Sequence, residues 1–270
     1  MTASPIFEVR KVNFDYEQIP ALRGLSLTVD RGQSIALLGA NGSGKSTLLR
    51  LLDALSFPST GTISFCGDRL TPERLRKEEF ALAFRRRVAF VFQNPDVQLF
   101  NPTVFDEVAF GPLQMGWSSA EVLARVEETL RLMGIANLRN RAPYRLSGGE
   151  KKRVALASVI VLDPDVLLLD EPTATLDPRS QSQLIDLIQN WKEASKTVIT
   201  ATHQIEIVED IAHRVIVLEQ GSIAAAGTPQ EILADGELLL RANLVHAHRH
   251  THGSTTHSHP HLHSHARHEH

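Results

Sequence analysis

The chain opens on alternating apolar and polar positions. Ile6 to Val12 and Leu22 to Val29 carry the period-two pattern of half-buried strands, and Ser34 to Leu38 is a short apolar run set off by Gly32. The period then changes. Lys45 to Leu55 (KSTLLRLLDAL) has leucines at i, i+3 and i+4 spacing among good helix formers, which predicts a helix directly after a glycine-rich loop. Val88 to Phe92 predicts another strand. Val104 to Met133 predicts two helices interrupted at Gly116, with Ser118 or Ser119 as cap and Glu121 completing a capping box. Val166 to Leu169 and Val198 to Thr202 read as buried strands separated by a helix that Pro178 can start. Strands alternating with helices predict an α/β fold with a parallel sheet, whose strand order the pattern leaves open.

Composition narrows the class. With 270 residues, 42% apolar, 22% charged and a formal net charge of −3, the chain can bury a large core and has no basic excess that would draw it to nucleic acid. The N-terminus has no apolar signal core, and no stretch reaches the roughly 18 uninterrupted apolar residues of a membrane span, so the expectation is a chain that is neither exported nor membrane-crossing. The one cysteine, Cys66, lies in the apolar segment TISFCG and is expected to be a buried, inert thiol in a reducing compartment. Arg85 to Arg87 and Lys151 to Arg153 read as solvated faces.

The chemistry begins at GANGSGKS, Gly39 to Ser46, between the third strand and its helix. Glycines let backbone N–H groups converge on phosphate oxygens, and the following helix turns its positive end toward the same anion. The set Gly39, Asn41, Gly42, Ser43, Gly44, Lys45, Ser46 and Thr47 is therefore expected to bind a nucleotide: Lys45 as a point charge on the terminal phosphates, Ser46 as a hydroxyl ligand of Mg2+. Downstream, VLLLDEP puts Asp170 and Glu171 at the end of a buried strand, where one carboxylate can hold Mg2+ and the next can orient water.

The segment LSGGEKKRVALA from Leu146 resembles the signature of ABC ATPases, and it precedes the Asp-Glu pair as that family requires. The resemblance implies a phosphate-loop NTPase with a parallel-sheet nucleotide-binding core, an N-terminal antiparallel β subdomain and an inserted helical subdomain at about 94–160, all within residues 1–245. It also implies that Ser147, Gly148 and Gly149, a helix start able to hold an anion, close on the γ-phosphate bound to a second ATPase subunit, so that a dimer, most simply a homodimer, is the working unit. By the same resemblance Tyr16 matches the aromatic that stacks on adenine, Gln93 the glutamine that reaches Mg2+ and reports nucleotide state to the membrane partner, His203 the histidine at the γ-phosphate, and Asp177 the loop that crosses the dimer interface. Glu171, His203, Gln93 and Lys45 are the implied catalytic set, with ATP and Mg2+ as cofactors.

The segment QNPDVQLFNPTVFDEVAFGP, Gln93 to Pro112, is similar to the ATPases of energy-coupling-factor importers, above all those for cobalt and nickel. Val97, Leu99 and Phe100 beside Pro95 and Pro102 suit a groove that accepts a helix from a membrane partner. The implied setting is the cytoplasmic face of the membrane, with a transmembrane scaffold and substrate-binding membrane subunits as partners and nickel or cobalt as cargo. A vitamin or another metal as cargo, a soluble non-transport ABC ATPase, and a metal store are the alternatives.

Residues 246–270 hold 11 of the 13 histidines, among Gly, Ser, Thr and Pro. Such a tail is expected to lack ordered structure. His246, His248, His250, His252, His257, His259, His261, His263 and His265, at every second position within each run, concentrate imidazole ligands suited to Ni2+, Co2+, Cu2+ or Zn2+.

Overall fold

The computed structural model describes residues 5–174, 176–245, 247–252 and 255–260. The two alternating N-terminal segments become β1 (Phe7–Tyr16) and β2 (Ile19–Val29), paired antiparallel, and the apolar run becomes β3 (Ser34–Leu38). The leucine-spaced helix is α1 (Lys45–Leu52). Four elements before the next anticipated strand carry no strong periodic signal: β4 (Thr60–Phe65), β5 (Asp68–Arg69), α2 (Pro72–Leu75) and α3 (Glu78–Arg87). β6 (Val88–Val91) follows.

The helical insert contains α4 (Val104–Gln114), α5 (Ser119–Leu132) and α6 (Gly148–Ile160). Ser118 is the α5 cap, with Glu121 closing a capping box. After it come β7 (Val166–Asp170), α7 (Pro178–Glu193) with Pro178 at its first turn, β8 (Thr197–Thr202), α8 (Val208–Ile211), β9 (Arg214–Glu219), β10 (Ser222–Gly227), α9 (Pro229–Ala234) and α10 (Gly236–Arg241).

Strands β1 to β10 divide between two sheets: an antiparallel one in the order β2-β1-β4-β5 and a six-stranded one in the order β10-β9-β3-β8-β7-β6. In the latter, β6, β7, β8, β3 and β9 run parallel and β10 is antiparallel to β9 at one edge. Strand alternation sorts the core. Ile35, Leu37, Phe90, Leu168 and Ile216 face α1 and the antiparallel sheet, whereas Ala36, Leu38, Val91, Leu169 and Val217 face the helical insert and the C-terminal helices. Both faces of the parallel strands are covered, hence their uninterrupted apolar sequence.

The parallel register sets the site. Val91 pairs with Leu169, Asp170 with Ala201 and Leu38 with Thr202. The segments that follow β3, β6, β7 and β8 therefore leave the sheet along one carboxyl edge, where α/β folds bind ligands.

Three expectations need correction. Arg85 and Arg87 are not merely solvated: Arg85 Nη1 donates to Asp53 Oδ2 at 3.0 Å, and Arg87 Nε donates to Asp165 Oδ2 at 2.7 Å. Their partners lie far away in sequence, so only the fold reveals them. Cys66 is half-buried rather than enclosed, because it sits at the turn between β4 and β5 with Arg31 and Arg87 donating to its Sγ at 3.6 and 3.4 Å. In the tail, where no order was expected, β11 (Ala247–His252) pairs antiparallel with β12 (Thr255–Pro260), bringing His248 opposite His259 and His250 opposite His257 in the backbone ladder. His246, His261, His263 and His265 lie outside the described residues. Among the described residues no helix is long and apolar enough to cross a membrane.

Candidate functional site

The glycine loop lies between β3 and α1, and its shape depends on missing side chains. A Cβ at Gly39 would stand 2.5 Å from the Leu218 carbonyl oxygen and still closer to Ser43 Oγ, and one at Gly44 would meet the Ala21 carbonyl oxygen at 2.8 Å. Lys45 opens α1 and is buried. Its Nζ donates to the Gly39 and Ala40 carbonyls at 2.7 and 3.2 Å and stands 3.7 Å from Glu171 Oε1. Burial lowers its pKa, and attraction from Glu171 and Asp170 opposes that shift.

Ser46 Oγ donates to Asp170 Oδ1 at 2.9 Å, joining the loop to the end of β7. Burial raises the Asp170 pKa against that hydrogen bond. Two hard oxygen donors side by side, one a carboxylate, are a donor set that fits Mg2+. The cradle also fits a phosphate chain, because Ser43 Oγ is buried there without a hydrogen-bond partner and can donate to a phosphate oxygen, while Glu171 Oε2, also unpaired, can accept only from a donor such as water. Among the described residues no cluster of three or more His, Cys, Asp or Glu side chains could hold a metal by itself.

Glu171 is buried and adopts a left-handed backbone conformation at φ 45°, which costs about 1–3 kcal/mol for a non-glycine residue. Its N–H donates to the Ala201 carbonyl at 2.9 Å, and its Oε1 lies 3.0 Å from His203 Nδ1. Strain and hydrogen bonding together fix this carboxylate between Lys45 and His203. The His203 side chain is 48% exposed, so it faces the opening of the site. Tyr16 is also exposed, with its hydroxyl 3.4 Å from Thr47 Oγ1 and its ring edge-on to Phe14 at 4.9 Å. An aromatic face thus stands beside the start of α1.

A second group assembles elsewhere. Ser147 caps α6 in a capping box: Glu150 N–H donates to Ser147 Oγ at 3.4 Å and Ser147 N–H donates to Glu150 Oε2 at 2.8 Å. Asp177 caps α7, taking Ser180 N–H at 3.1 Å and Ser180 Oγ–H at 2.6 Å, and these bonds hold its carboxyl below the usual range. A Cβ at Gly149 would lie 3.2 Å from Ser180 Oγ and 3.8 Å from Asp177 Oδ2, so the two caps adjoin. Gly148 has open space around it.

Of the residues anticipated from sequence, Tyr16, Gly39 to Thr47, Asp170, Glu171 and His203 come together around the loop, whereas Ser147, Gly148, Gly149 and Asp177 form the second group. Among the described residues no hydrogen bond joins the two groups. Gln93 lies just beyond β6, beside the strand that ends in Asp170, and is exposed, with no side-chain bond to either group.

Lys152 was missed. It is 3% exposed, contrary to the expectation of a solvated face, and its Nζ donates to the Phe92 and Gln93 carbonyls at 3.1 and 2.9 Å. Burial lowers its pKa to about 8, opposed by Asp170 and Glu171. The available signal was its place on an apolar helix stripe continued by Ala155, Leu156 and Ile160.

Comparison with known proteins agrees with this geometry. The sequence profile of ABC transporters matches residues 22–174. The chain is 54% identical over 245 residues to the nickel import ATP-binding protein NikO of Rhodobacter capsulatus, covering 90% of this chain and 96% of that protein. It is 42% identical over 240 residues to the energy-coupling factor transporter ATP-binding protein EcfA of Methanothermobacter thermautotrophicus, covering 88% and 76%. Among solved structures, CbiO1 of Clostridium perfringens, part of the ABC transporter complex CbiONQ, aligns with a TM-score of 0.75 at 37% identity, over 89% of this chain and 95% of that one. A dimeric ATP-binding cassette in a post-hydrolysis state bound to ADP and Pi aligns with a TM-score of 0.74 at 26% identity, over 83% and 98%. A glycine loop between strand and helix, a carboxylate pair at the adjoining strand end, a capped signature helix and these alignments converge: the chain belongs to the ABC transporter ATPase family and is an ATP-hydrolysing subunit.

Proposed function

We propose that two copies of this chain bind two ATP·Mg2+ head to tail and drive an energy-coupling-factor-type importer whose cargo is nickel or cobalt. The observation that carries the dimer is the division of the site. The α6 start capped by Ser147 is an anion-binding helix terminus with no bond to its own chain's Lys45 cluster, so its phosphate comes from a second copy.

In this reading the loop amides and Lys45 hold the β- and γ-phosphates, Tyr16 stacks on adenine, and Ser46, Asp170 and Gln93 hold Mg2+. Bound there, Mg2+ would neutralise charge on the phosphate oxygens. Glu171 accepts the proton of the attacking water, His203 orients that carboxylate and contacts the γ-phosphate end, and Asp177 lines the crossing between copies. The partner's Ser147 to Gly149 segment closes the site and excludes water.

Docking to a transmembrane scaffold is assigned to the surface following Gln93. Val97 and Phe100 are 66% and 68% exposed, and Phe110 and Leu113 on α4 extend the same apolar character. Phe100 and Phe110 stack edge to face at 5.1 Å, which preforms an anchor for a partner helix. The chain would then sit at the cytoplasmic face of the membrane without crossing it.

Two observations support the cargo: the nickel-import name of the Rhodobacter relative and the histidine-rich tail, read as a buffer or sensor for transition-metal ions. Uptake of radiolabelled Ni2+ and Co2+ by vesicles carrying this chain with its membrane subunits tests the proposal. ATP-dependent uptake of either ion is expected. ATP turnover with uptake of neither would overturn the cargo.

A further inference from the structure

The loop carrying Gln93 is fastened to the helix that begins at Ser147. Lys152 lies on α6 five residues beyond the Ser147 cap, and its Nζ holds the Phe92 and Gln93 carbonyls at 3.1 and 2.9 Å. Gln98 adds a second tie: its Nε2 donates to the Ala155 carbonyl at 2.8 Å and Ser158 Oγ at 3.2 Å, while its Oε1 accepts Phe92 N–H at 3.3 Å. At the surface Lys151 pairs with Asp96 at 2.6 Å.

Lys152 differs from the other two ties. It is a buried cation with no carboxylate within ion-pair distance among the described residues, so the two carbonyls are its acceptors. Charge-assisted bonds of this kind are roughly twice as strong as neutral ones. Core packing alone would be met by a methionine of similar length, whereas an ammonium stripped of water has to keep its acceptors. These bonds tie the backbone at Phe92 and Gln93 to α6.

The consequence follows from what lies at the two ends. In the head-to-tail dimer proposed above, on which this step rests, Ser147 meets the nucleotide bound to the partner, while Gln93 serves the nucleotide bound to its own chain. We propose that Lys152 is a positioning residue that links the two sites: closure of the α6 start on one nucleotide sets Gln93 at the other. Lys152 touches neither nucleotide. Its effect is on the concerted use of both.

The test is the ATP-concentration dependence of hydrolysis by the full chain and by Lys152→Met and Lys152→Arg, alongside nucleotide affinity by fluorescent ATP and dimerisation by sedimentation. The Met variant is expected to bind ATP within about twofold of wild type, to lose about tenfold in kcat, and to show a Hill coefficient near 1 where two coupled sites allow up to 2. Arg should restore most of both losses. Should Lys152→Met fail to fold, Lys152→Gln, which keeps a neutral donor, is expected to fall between wild type and that outcome. A folded Met variant with wild-type kcat and cooperativity overturns the link while leaving the dimer intact. ATP affinity and kcat falling together, without rescue by Arg, would make the role structural and also overturn it. Absence of an ATP·Mg2+-driven dimer in the turnover-deficient Glu171→Gln chain would overturn the dimer itself and the link with it.

Discussion

Replacing Glu171 by Gln removes one negative charge from a cluster in which every other contact can remain. The amide is isosteric, so the Glu171 N–H bond to the Ala201 carbonyl and the left-handed backbone at φ 45° are kept, and the melting temperature should move little. Glu171 Oε1 stands 3.7 Å from Lys45 Nζ, a Coulomb attraction of about 4 kcal/mol at an effective dielectric near 20, before desolvation is subtracted. That attraction draws Lys45 away from phosphate. Without it, and without carboxylate repulsion of the phosphate, ATP affinity should hold or tighten. Turnover, however, would lose the proton acceptor that the proposed mechanism assigns to Glu171, for which a loss of about 100-fold or more is expected, equivalent to roughly 2.7 kcal/mol in the barrier. Phosphate release in a coupled assay, beside fluorescent-nucleotide binding, measures both. Hydrolysis within tenfold of wild type would refute the role of Glu171. ATP affinity weakened by more than tenfold would refute the electrostatic argument.

Lys45→Ala should bind ATP at least tenfold more weakly in the same binding assay, because it removes the point charge from the loop. Gly39→Ala should destabilise the fold by about 1–3 kcal/mol in urea denaturation, since its Cβ would press on the fixed Leu218 carbonyl of β9. Asp53, at the end of α1, has its pKa raised from 3.8 to about 7 by burial, with Arg85 opposing the shift. The folded state therefore binds more protons than the unfolded state between these values, and stability falls as pH rises through that window, by about 4 kcal/mol in all. Denaturation midpoints of Asp53→Asn should show a shallower decline from pH 4 to pH 8 than wild type, and parallel curves would contradict this.

Contiguous features were legible because their chemistry is local. Gly39 to Ser46 carries its own loop and helix start, Ser118 and Glu121 close a capping box three residues apart, and Asp170 and Glu171 end an apolar run. The antiparallel β1 and β2 were visible through alternation. β4, β9 and β10 lacked that clarity because each is short or nearly continuous in apolarity, and strand order depends on crossovers that periodicity does not encode. Charged runs misled for a related reason. Arg85, Arg87 and Lys152 find their acceptors at Asp53, Asp165 and the Phe92 and Gln93 carbonyls, which tertiary structure alone brings near. The glycine loop and its helix start were therefore readable, while the tie between Gln93 and the α6 helix arises only in the folded chain.

The central claim is that the nucleotide site is completed by the α6 start of another copy. Sedimentation of the Glu171→Gln chain with and without ATP·Mg2+, and with Ser147→Arg added, addresses it most directly. The account predicts a monomer that becomes a dimer on adding ATP, and a return to monomer when the bulk of the Ser147→Arg side chain blocks the helix start. A chain that stays monomeric with saturating ATP, or a dimer indifferent to the Ser147 substitution, would contradict it.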